Sequence, residues 1–190
     1  MNGIRWDLLT IGHLSRNKFW GDADDRAYRS PLCTSVLTRT KTRAIVVDLG
    51  LPPEEMASVL DRRAGLSISE VNDLFLTRFH GDHRFGIDAF PEAEWLVAGE
   101  EIPPWRDELP ENDDDRRVLE RLGTARGELA PDIALLATPG HTPNHHSLVF
   151  DAEGLRVVVA GEATMTRDFF RAREYYFDTA GPEAAVRSIE

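Results

Sequence analysis

The stretch L-T-R-F-H-G-D-H, at residues 76–83, decides how the fold of this chain is interpreted. It follows an apolar run at residues 71–75 that is typical of a β-strand. Three side chains able to bind a metal, His80, Asp82 and His83, then fall within four positions. A second interpretation stays open here: Asp82 caps a helix that starts at His83, and the histidines lie in solvent. The motif alone does not choose between a metal loop and a helix cap.

A second histidine-rich stretch, P-G-H-T-P-N-H-H, lies at residues 139–146. The two stretches together contain five of the six histidines of the chain. The Pro-Gly turn follows a strand-like segment and presents His141, and a later strand-like segment at residues 157–160 leads directly to Glu162. Imidazole and carboxylate groups suit zinc, iron or manganese. Ligand-type residues at three strand ends therefore predict a metal site, where one stretch alone would not.

Composition limits the classes of protein that this sequence fits. A length of 190 residues predicts a single domain over residues 1–190. The 33 acids and 22 bases give a formal charge of −11, which argues against non-specific binding to nucleic acid or anionic membranes. Cys33 is the single cysteine, so no internal disulfide forms, and we expect it to be a small buried side chain, not a nucleophile. No apolar run approaches the roughly 18 residues of a membrane span, and we expect a cytoplasmic protein.

The hydrophobic patterns predict alternating strands and helices. Strands are predicted at residues 6–12, 33–38, 43–48, 71–75, 94–98, 133–138, 146–150 and 155–160. Helices are predicted at residues 52–64, 116–122, 167–176 and 182–189. Residues 99–115, rich in proline and acids, predict a surface loop, with a lid over the site as the alternative. Turns at residues 39–42 and 151–154 join neighbouring strands as hairpins, so the fold class is α/β with mixed sheets.

Four segments of the sequence resemble the metallo-β-lactamase-fold hydrolase superfamily. D-L-G at residues 48–50 is similar to the family's D-x-G, and residues 77–83 with F-P at residues 90–91 are similar to T-H-x-H-x-D-H followed by F-P. Residues 139–148 are similar to P-G-H-T-P-G-H-x-S-L, and A-G-E at residues 160–162 is similar to A/T-G-D. The resemblance implies an αβ/βα four-layer sandwich, in which two sheets face each other, helices lie outside, and metal binds at one edge. It also implies attack by a metal-activated water on a carbonyl, phosphoryl or thioester centre.

On this resemblance the metal ligands are His80, Asp82, His83, His141 and Glu162. The cofactor that it implies is a divalent metal ion, with zinc favoured and iron or manganese as alternatives. His145 and His146 lie where the family has a histidine near the ligands or the substrate, and we expect one of the two to face solvent.

Three departures from the family pattern bear on this expectation. Arg78 stands where the family has its first histidine, and a guanidinium cannot bind a metal. Glu162 stands where the family has aspartate. The family's last histidine ligand follows a further strand, so the fold is expected to lack its last strand here, and a longer chain would carry that strand with a Pro-Gly-His.

These departures lead to two hypotheses about the site. In the first, a single metal ion is held by His80, His141 and Glu162, and Asp82 is the catalytic residue that orients or deprotonates its water. In the second, Arg78 pairs with Glu162 as a buried ion pair at the position of a metal.

Two functions follow from these hypotheses. The first is hydrolysis of a small ester, thioester or lactone, and the absence of G-x-S-x-G in the sequence disfavours a serine hydrolase. The second is a degenerate member of the fold that binds a small molecule or a partner without hydrolysing it. The expected partner is a small-molecule substrate, with no nucleic acid and no membrane, and a homodimer is left open.

Overall fold

The structure is a computed structural model that describes residues 3–176 and 180–190. The described residues form ten strands and six α-helices, with short 3₁₀ turns between them. The strands are β1 (Arg5–Thr10), β2 (Ser35–Arg39), β3 (Ala44–Val47), β4 (Asp73–Leu76), β5 (Glu94–Ala98), β6 (Gly123–Ala125), β7 (Glu128–Ala130), β8 (Ile133–Ala137), β9 (His146–Ala152) and β10 (Leu155–Val159). The helices are α1 (Pro53–Ala64), α2 (Gly81–Arg84), α3 (Ile102–Glu108), α4 (Asp114–Arg121), α5 (Arg167–Ala172) and α6 (Pro182–Ile189).

The strands form two sheets. One sheet has six strands in the order β1-β2-β3-β4-β5-β6, and the other has four in the order β10-β9-β8-β7. In the first sheet β1, β2 and β3 pair antiparallel, whereas β3, β4, β5 and β6 pair parallel. The second sheet is antiparallel throughout. The predicted α/β class with mixed sheets is therefore confirmed.

Alternation along the strands separates two cores. Ile45 and Phe75 point toward the second sheet and share a buried cluster with Leu148 and Phe150. Because successive side chains of a strand lie on opposite faces, Leu74 points the other way, into a second cluster with the helices. The parallel strands β3 and β4 are thus buried on both faces, and all eight of their residues are buried.

Helix α1 covers the outer face of the first sheet. Its apolar stripe contributes Met56 and Leu60, both fully buried, to the cluster on that face. Proline and acids fill its first turn, as the free N–H groups and the helix dipole favour. Gly65 ends it in the left-handed conformation, at a φ of 64°.

The predicted surface loop at residues 99–115 is wrong. A 3₁₀ turn at Gly99–Glu101 leads directly into α3, and α4 already begins at Asp114. Prolines in the first turn of α3 need no N–H partner, so they start this helix and do not mark a loop. Buried Ile102 anchors the segment to the core.

Two smaller differences concern short elements. Strands β6 and β7 escaped prediction because three residues are too few to show a period. Helix α5 ends at Ala172 and not at residue 176, since Arg173 adopts the left-handed conformation that terminates a helix. Among the described residues no helix is both long and apolar enough to cross a membrane.

Candidate metal centre

The loop that follows β4 carries three of the predicted ligands. Thr77 continues a buried parallel strand, and the one-turn helix α2 begins four residues later. His80 is the N-cap residue of α2, with extended backbone (φ −63°, ψ 152°) and no side-chain cap bond. Asp82 lies within the first turn, so the alternative in which Asp82 caps this helix is wrong. The same turn buries His83 and leaves Asp82 partly exposed.

The second histidine loop packs against α6 through Pro139 and Gly140. A side chain at Gly140 would meet the backbone of Ala185 at 2.7 Å, so only glycine permits this approach. Ser188 of the same helix donates a hydrogen bond to the carbonyl of Pro139 at 2.6 Å. His141 is consequently buried, at 8% exposure, on a loop supported from behind.

Glu162 follows β10 through a glycine that no other residue could replace without strain. Gly161 has a φ of 54°, and a Cβ there would lie 2.6 Å from Nε2 of His145 and 2.7 Å from Oγ1 of Thr77. The N–H of Glu162 donates to His145 Nε2 at 3.1 Å. This close packing fixes the backbone position of Glu162, from which its carboxylate extends.

All five predicted ligands come together and form two overlapping groups. His80, His141 and Glu162 form one group, and Asp82, His83 and Glu162 form the other. Within each group the potential ligand atoms lie within 4.8 Å of one another. Three of the side chains follow the end of a strand of the first sheet, and the other two follow strands of the second sheet.

The first group fits a divalent ion. It offers two imidazoles and one carboxylate, the donor set of many open transition-metal sites. Nε2 of His141 lies 3.1 Å from Oε2 of Glu162, and the rings of His80 and His141 meet edge-on with centroids 5.4 Å apart. Trp105 packs edge-on against His80 at 5.2 Å and supports its ring.

The second group already holds a cation. Nη2 of Arg78 forms an ion pair with Oε2 of Glu162 and lies 3.5 Å from Oδ1 of Asp82. Its Nε lies 3.3 Å from Nε2 of His83. The buried Arg78–Glu162 pair that the sequence suggested is present, and this group does not fit a metal ion while the guanidinium remains.

Asp48, in the segment similar to D-x-G, orients His83 from behind. Its carboxylate accepts hydrogen bonds from the N–H and the hydroxyl of Thr77 and from Nδ1 of His83, all at 2.9 Å. Burial lowers the pKa of His83, but the charge and hydrogen bond of Asp48 outweigh burial and raise that pKa to about 9. Asp48 therefore fixes both the ring orientation and the proton on Nδ1.

The carboxylate of Glu162 stays ionised despite its burial. Burial raises its pKa, but the nearby ring of His83, with Nε2 at 3.6 Å from Oε2, and the charge of Arg78 outweigh burial and lower the pKa to about 2. An ionised carboxylate is the form that binds a cation.

His145 is buried and lies on neither the solvent nor the substrate side. Its Nε2 accepts from Glu162, so the proton lies on Nδ1, which donates to Oγ1 of Thr138 at 2.8 Å. Burial lowers the pKa of His145 to about 3, which keeps the ring neutral. His146 is partly exposed and donates from Nδ1 to the carbonyl of Asn144 at 2.8 Å.

Glu101 belongs to the site although the sequence did not single it out. It is 2% exposed and accepts hydrogen bonds from the N–H of Phe79 and from Nε1 of Trp105, both at 3.2 Å. Its other oxygen accepts from Oγ1 of Thr142 at 3.5 Å. Glu101 thus links the two histidine loops, and within an acidic segment nothing in the pattern distinguishes it from its neighbours.

Two cavities adjoin the site. A cavity of about 290 Å³ between the sheets has Asp82, His83 and Glu162 in its wall. Its apolar lining includes Trp6, Leu8, Val36, Val157 and Met165. A wider groove of about 740 Å³ passes Asp82 on the other side and carries several acids, among them Glu55, Asp88 and Asp114.

Comparison with known proteins identifies the family. The sequence profile described as Metallo-beta-lactamase superfamily matches residues 31–189. The chain therefore belongs to the metallo-beta-lactamase superfamily, and the sandwich expected from the resemblance is confirmed.

Individual relatives are more distant. A curated "Beta-lactamase-like protein 2 homolog" from Caenorhabditis elegans is 31% identical over 134 residues, which cover 68% of this chain and 43% of that protein. An "N-acyl homoserine lactonase" from Bacillus cereus is 27% identical over 141 residues, which cover 72% of this chain and 56% of that protein. The chain thus spans about half the length of these curated relatives.

Solved structures support the fold. An N-acyl homoserine lactone hydrolase, with the product N-hexanoyl-L-homoserine at its catalytic metal center, superposes with a TM-score of 0.73 and 22% identity. That match covers 98% of this chain and 85% of the other. The dizinc quorum-quenching lactonase AidC gives a TM-score of 0.65 at 18% identity and covers 83% of this chain and 66% of its own. At these identities the likeness shows the fold alone.

Proposed function

We propose that this protein is a metal-dependent hydrolase that cleaves a small ester, thioester or lactone. The observation that carries the proposal is the convergence of His80, His141 and Glu162 on one point from the edges of two sheets. Two buried or half-buried imidazoles beside an ionised carboxylate form a donor set that exposed acidic clusters do not reproduce. Zinc is the favoured ion, with iron and manganese as alternatives.

A divalent ion bound there would polarise the scissile carbonyl and lower the pKa of a water molecule toward neutrality. Asp82 is the proposed base, because its carboxylate lies in the wall of both cavities and can accept the proton of the attacking water. The water oxygen then bonds to the carbonyl carbon, the bond from that carbon to the leaving oxygen or sulfur breaks, and the proton held by Asp82 passes to the leaving atom. Arg78 supplies positive charge next to Glu162, and His83, fixed by Asp48, lies in the wall of the same cavity as Glu162.

The cavity between the sheets supports a substrate with an apolar part. Trp6, Leu8 and Val157 line it, and His83 and Glu162 form its polar end. A lactone or ester with an acyl chain would place its apolar chain among the former and its carbonyl near the latter. The curated relative named as an N-acyl homoserine lactonase makes a lactone the first substrate to test. A nucleic-acid or membrane partner is disfavoured by the acidic charge, and a homodimer is left open.

The experiment compares two neighbouring histidines. His141→Ala removes a proposed ligand, whereas His146→Ala removes an imidazole outside both ligand groups. We expect two quantities to fall in His141→Ala only. One is the metal content after loading with zinc, iron or manganese. The other is the rate of N-hexanoyl homoserine lactone hydrolysis, measured as proton release. Equal metal content in both variants, or lactone and ester hydrolysis unaffected by His141→Ala, would refute the proposal.

One observation favours a second candidate, a binding protein without hydrolytic activity. Arg78 already engages the Glu162 carboxylate that the proposed metal needs. This candidate predicts that the natural protein stays metal-free after loading and that no ester, thioester or lactone is cleaved. It is the conclusion to accept if elemental analysis finds only trace metal in folded protein.

A further inference from the structure

The guanidinium of Arg78 occupies the second group of potential ligands. It contacts all three members of that group: Glu162 by the ion pair, Asp82 at 3.5 Å and His83 at 3.3 Å. The same three side chains offer ligand atoms within 4.8 Å of one another. Their common centre is therefore filled by a side chain of the protein itself.

Burial and charge keep the guanidinium of Arg78 at this position as a cation. Arg78 is 3% exposed, and a guanidinium does not lose its proton in proteins. Three carboxylates, those of Asp48, Asp82 and Glu162, lie within one ion pair or hydrogen bond of Arg78 or His83. Without a cation among them their mutual repulsion in a buried setting would be strongly unfavourable.

The hydrogen bonding of Arg78 is incomplete. Its Nη1 is buried and has no hydrogen-bond partner among the described residues. A stabilising role in a hydrogen-bond network explains such a buried arginine poorly, because a buried donor without an acceptor costs free energy. Its position between the carboxylates of Asp82 and Glu162 and the ring of His83 is better explained by its charge.

We propose that Arg78 is a built-in substitute for a second metal ion, which restricts this centre to a single divalent ion at His80, His141 and Glu162. The single-ion site rests on the proposed function, whereas the exclusion of a second ion rests on the contacts of Arg78. The positive charge that a second ion would bring is supplied by the chain, without dependence on metal supply.

The test counts metal ions per chain. The natural protein and the variants Arg78→Ala, Arg78→His and Arg78→Lys are dialysed against a series of buffered zinc concentrations, and zinc per chain is measured by elemental analysis. Arg117→Ala is the matched control, since Arg117 is exposed and pairs with Asp88, and neither residue belongs to a ligand group. Circular dichroism establishes that each variant is folded, and anomalous scattering from zinc-soaked crystals locates each ion.

We expect one zinc ion in the natural protein, in Arg78→Lys and in Arg117→Ala, and a second ion between Asp82 and His83 in Arg78→Ala and Arg78→His. In the presence of a chelator, Arg78→Ala should unfold at a lower temperature than the natural protein. Added zinc should restore its unfolding temperature. Two ions in the natural protein overturn the inference whether or not any variant folds. One ion in the natural protein and in the folded Ala and His variants also overturns it, but leaves the proposed function standing. No ion in the natural protein with ions in Arg78→Ala supports the role of Arg78 and overturns the proposed function.

Discussion

Asp82, the proposed base, is more exposed to a substrate than the other acid and the histidine of its group. Its side chain is 22% exposed, against 2% for His83 and 16% for Glu162, and it lines both cavities described above. A carboxylate in that place can receive a proton, whereas the buried members of the site serve to hold charge. The proposed mechanism thus separates the centre into groups that bind a cation and one, Asp82, that exchanges a proton with solvent or substrate.

Replacing Asp82 should therefore reduce turnover more than metal content. Removing a general base lowers the rate by about 10²–10⁴-fold, so we expect a loss of kcat in this range in Asp82→Asn. His80, His141 and Glu162 remain, so zinc content should stay close to that of the natural protein. The matched control is Asp88→Asn, which changes an exposed acid of the same groove. Loss of zinc and activity together in Asp82→Asn would make Asp82 a ligand and not the base.

At this scale the sequence predicted the residues but not their supports. The five ligands expected from the sequence and the Arg78–Glu162 pair could be predicted because each is a motif residue or a departure from a motif. The roles of His145 and Glu101 were not, because their partners come from elements far apart in the chain. His145 supports the N–H of Glu162, and Glu101 is hydrogen bonded to both histidine loops. Such hydrogen bonds carry no periodic signal in sequence.

The segment from the 3₁₀ turn Gly99–Glu101 into α3 is the element that joins the two halves of the site. Glu101 bonds to the first histidine loop through Phe79 and to the second through Thr142, and Trp105 of α3 packs on His80. The carbonyl of Glu100 also accepts from the side chain of Asn144 at 2.7 Å. What the composition predicted to be a solvated loop is a brace, because buried contacts override the polar character of most of its residues.

Glu101→Ala should loosen this brace without touching a ligand. Burial raises the pKa of Glu101, and the variant leaves the N–H groups of Phe79 and Trp105 without their acceptor. Each buried unpaired donor costs about 1–3 kcal/mol of unfolding free energy. Zinc affinity should fall by about 10–100-fold, the usual effect of removing a group that supports ligands. Urea unfolding and competition with a chromophoric chelator measure the two effects.

The adjacent exposed acid provides the control for this experiment. Glu100→Ala keeps the backbone carbonyl that Asn144 uses, so both readouts should match the natural protein. Glu101→Gln, which keeps one acceptor oxygen, should fall between the two. Zinc affinity unchanged in Glu101→Ala would show that the histidine loops hold their positions without this brace.

On the scale of the whole molecule, the proposed metal centre depends on the contact between the two sheets. The loop with His80, Asp82 and His83 follows β4 of the six-stranded sheet. In the four-stranded sheet, His141 follows β8 and Glu162 follows β10. The sequence predicted most of the strands of both sheets, because alternation and hairpin turns are local signals. It could not give the pairing of one sheet with the other, which follows from the shape of side chains that meet only after folding.

Phe75 tests that dependence, because its side chain lies in the core between the sheets and belongs to neither ligand group. It is fully buried on β4 in the cluster that includes Leu148 and Phe150 of β9. Phe75→Ala should lower the unfolding free energy by about 3–5 kcal/mol, the usual result of emptying such a volume in a core. Leu155→Ala, at a side chain 65% exposed, should change it by no more than about 0.5 kcal/mol. Because the volume that Phe75→Ala empties lies where the two sheets meet, this variant should also weaken zinc binding in the folded protein, whereas Leu155→Ala should not. Full zinc affinity in folded Phe75→Ala would mean that the loops alone hold the ligands together.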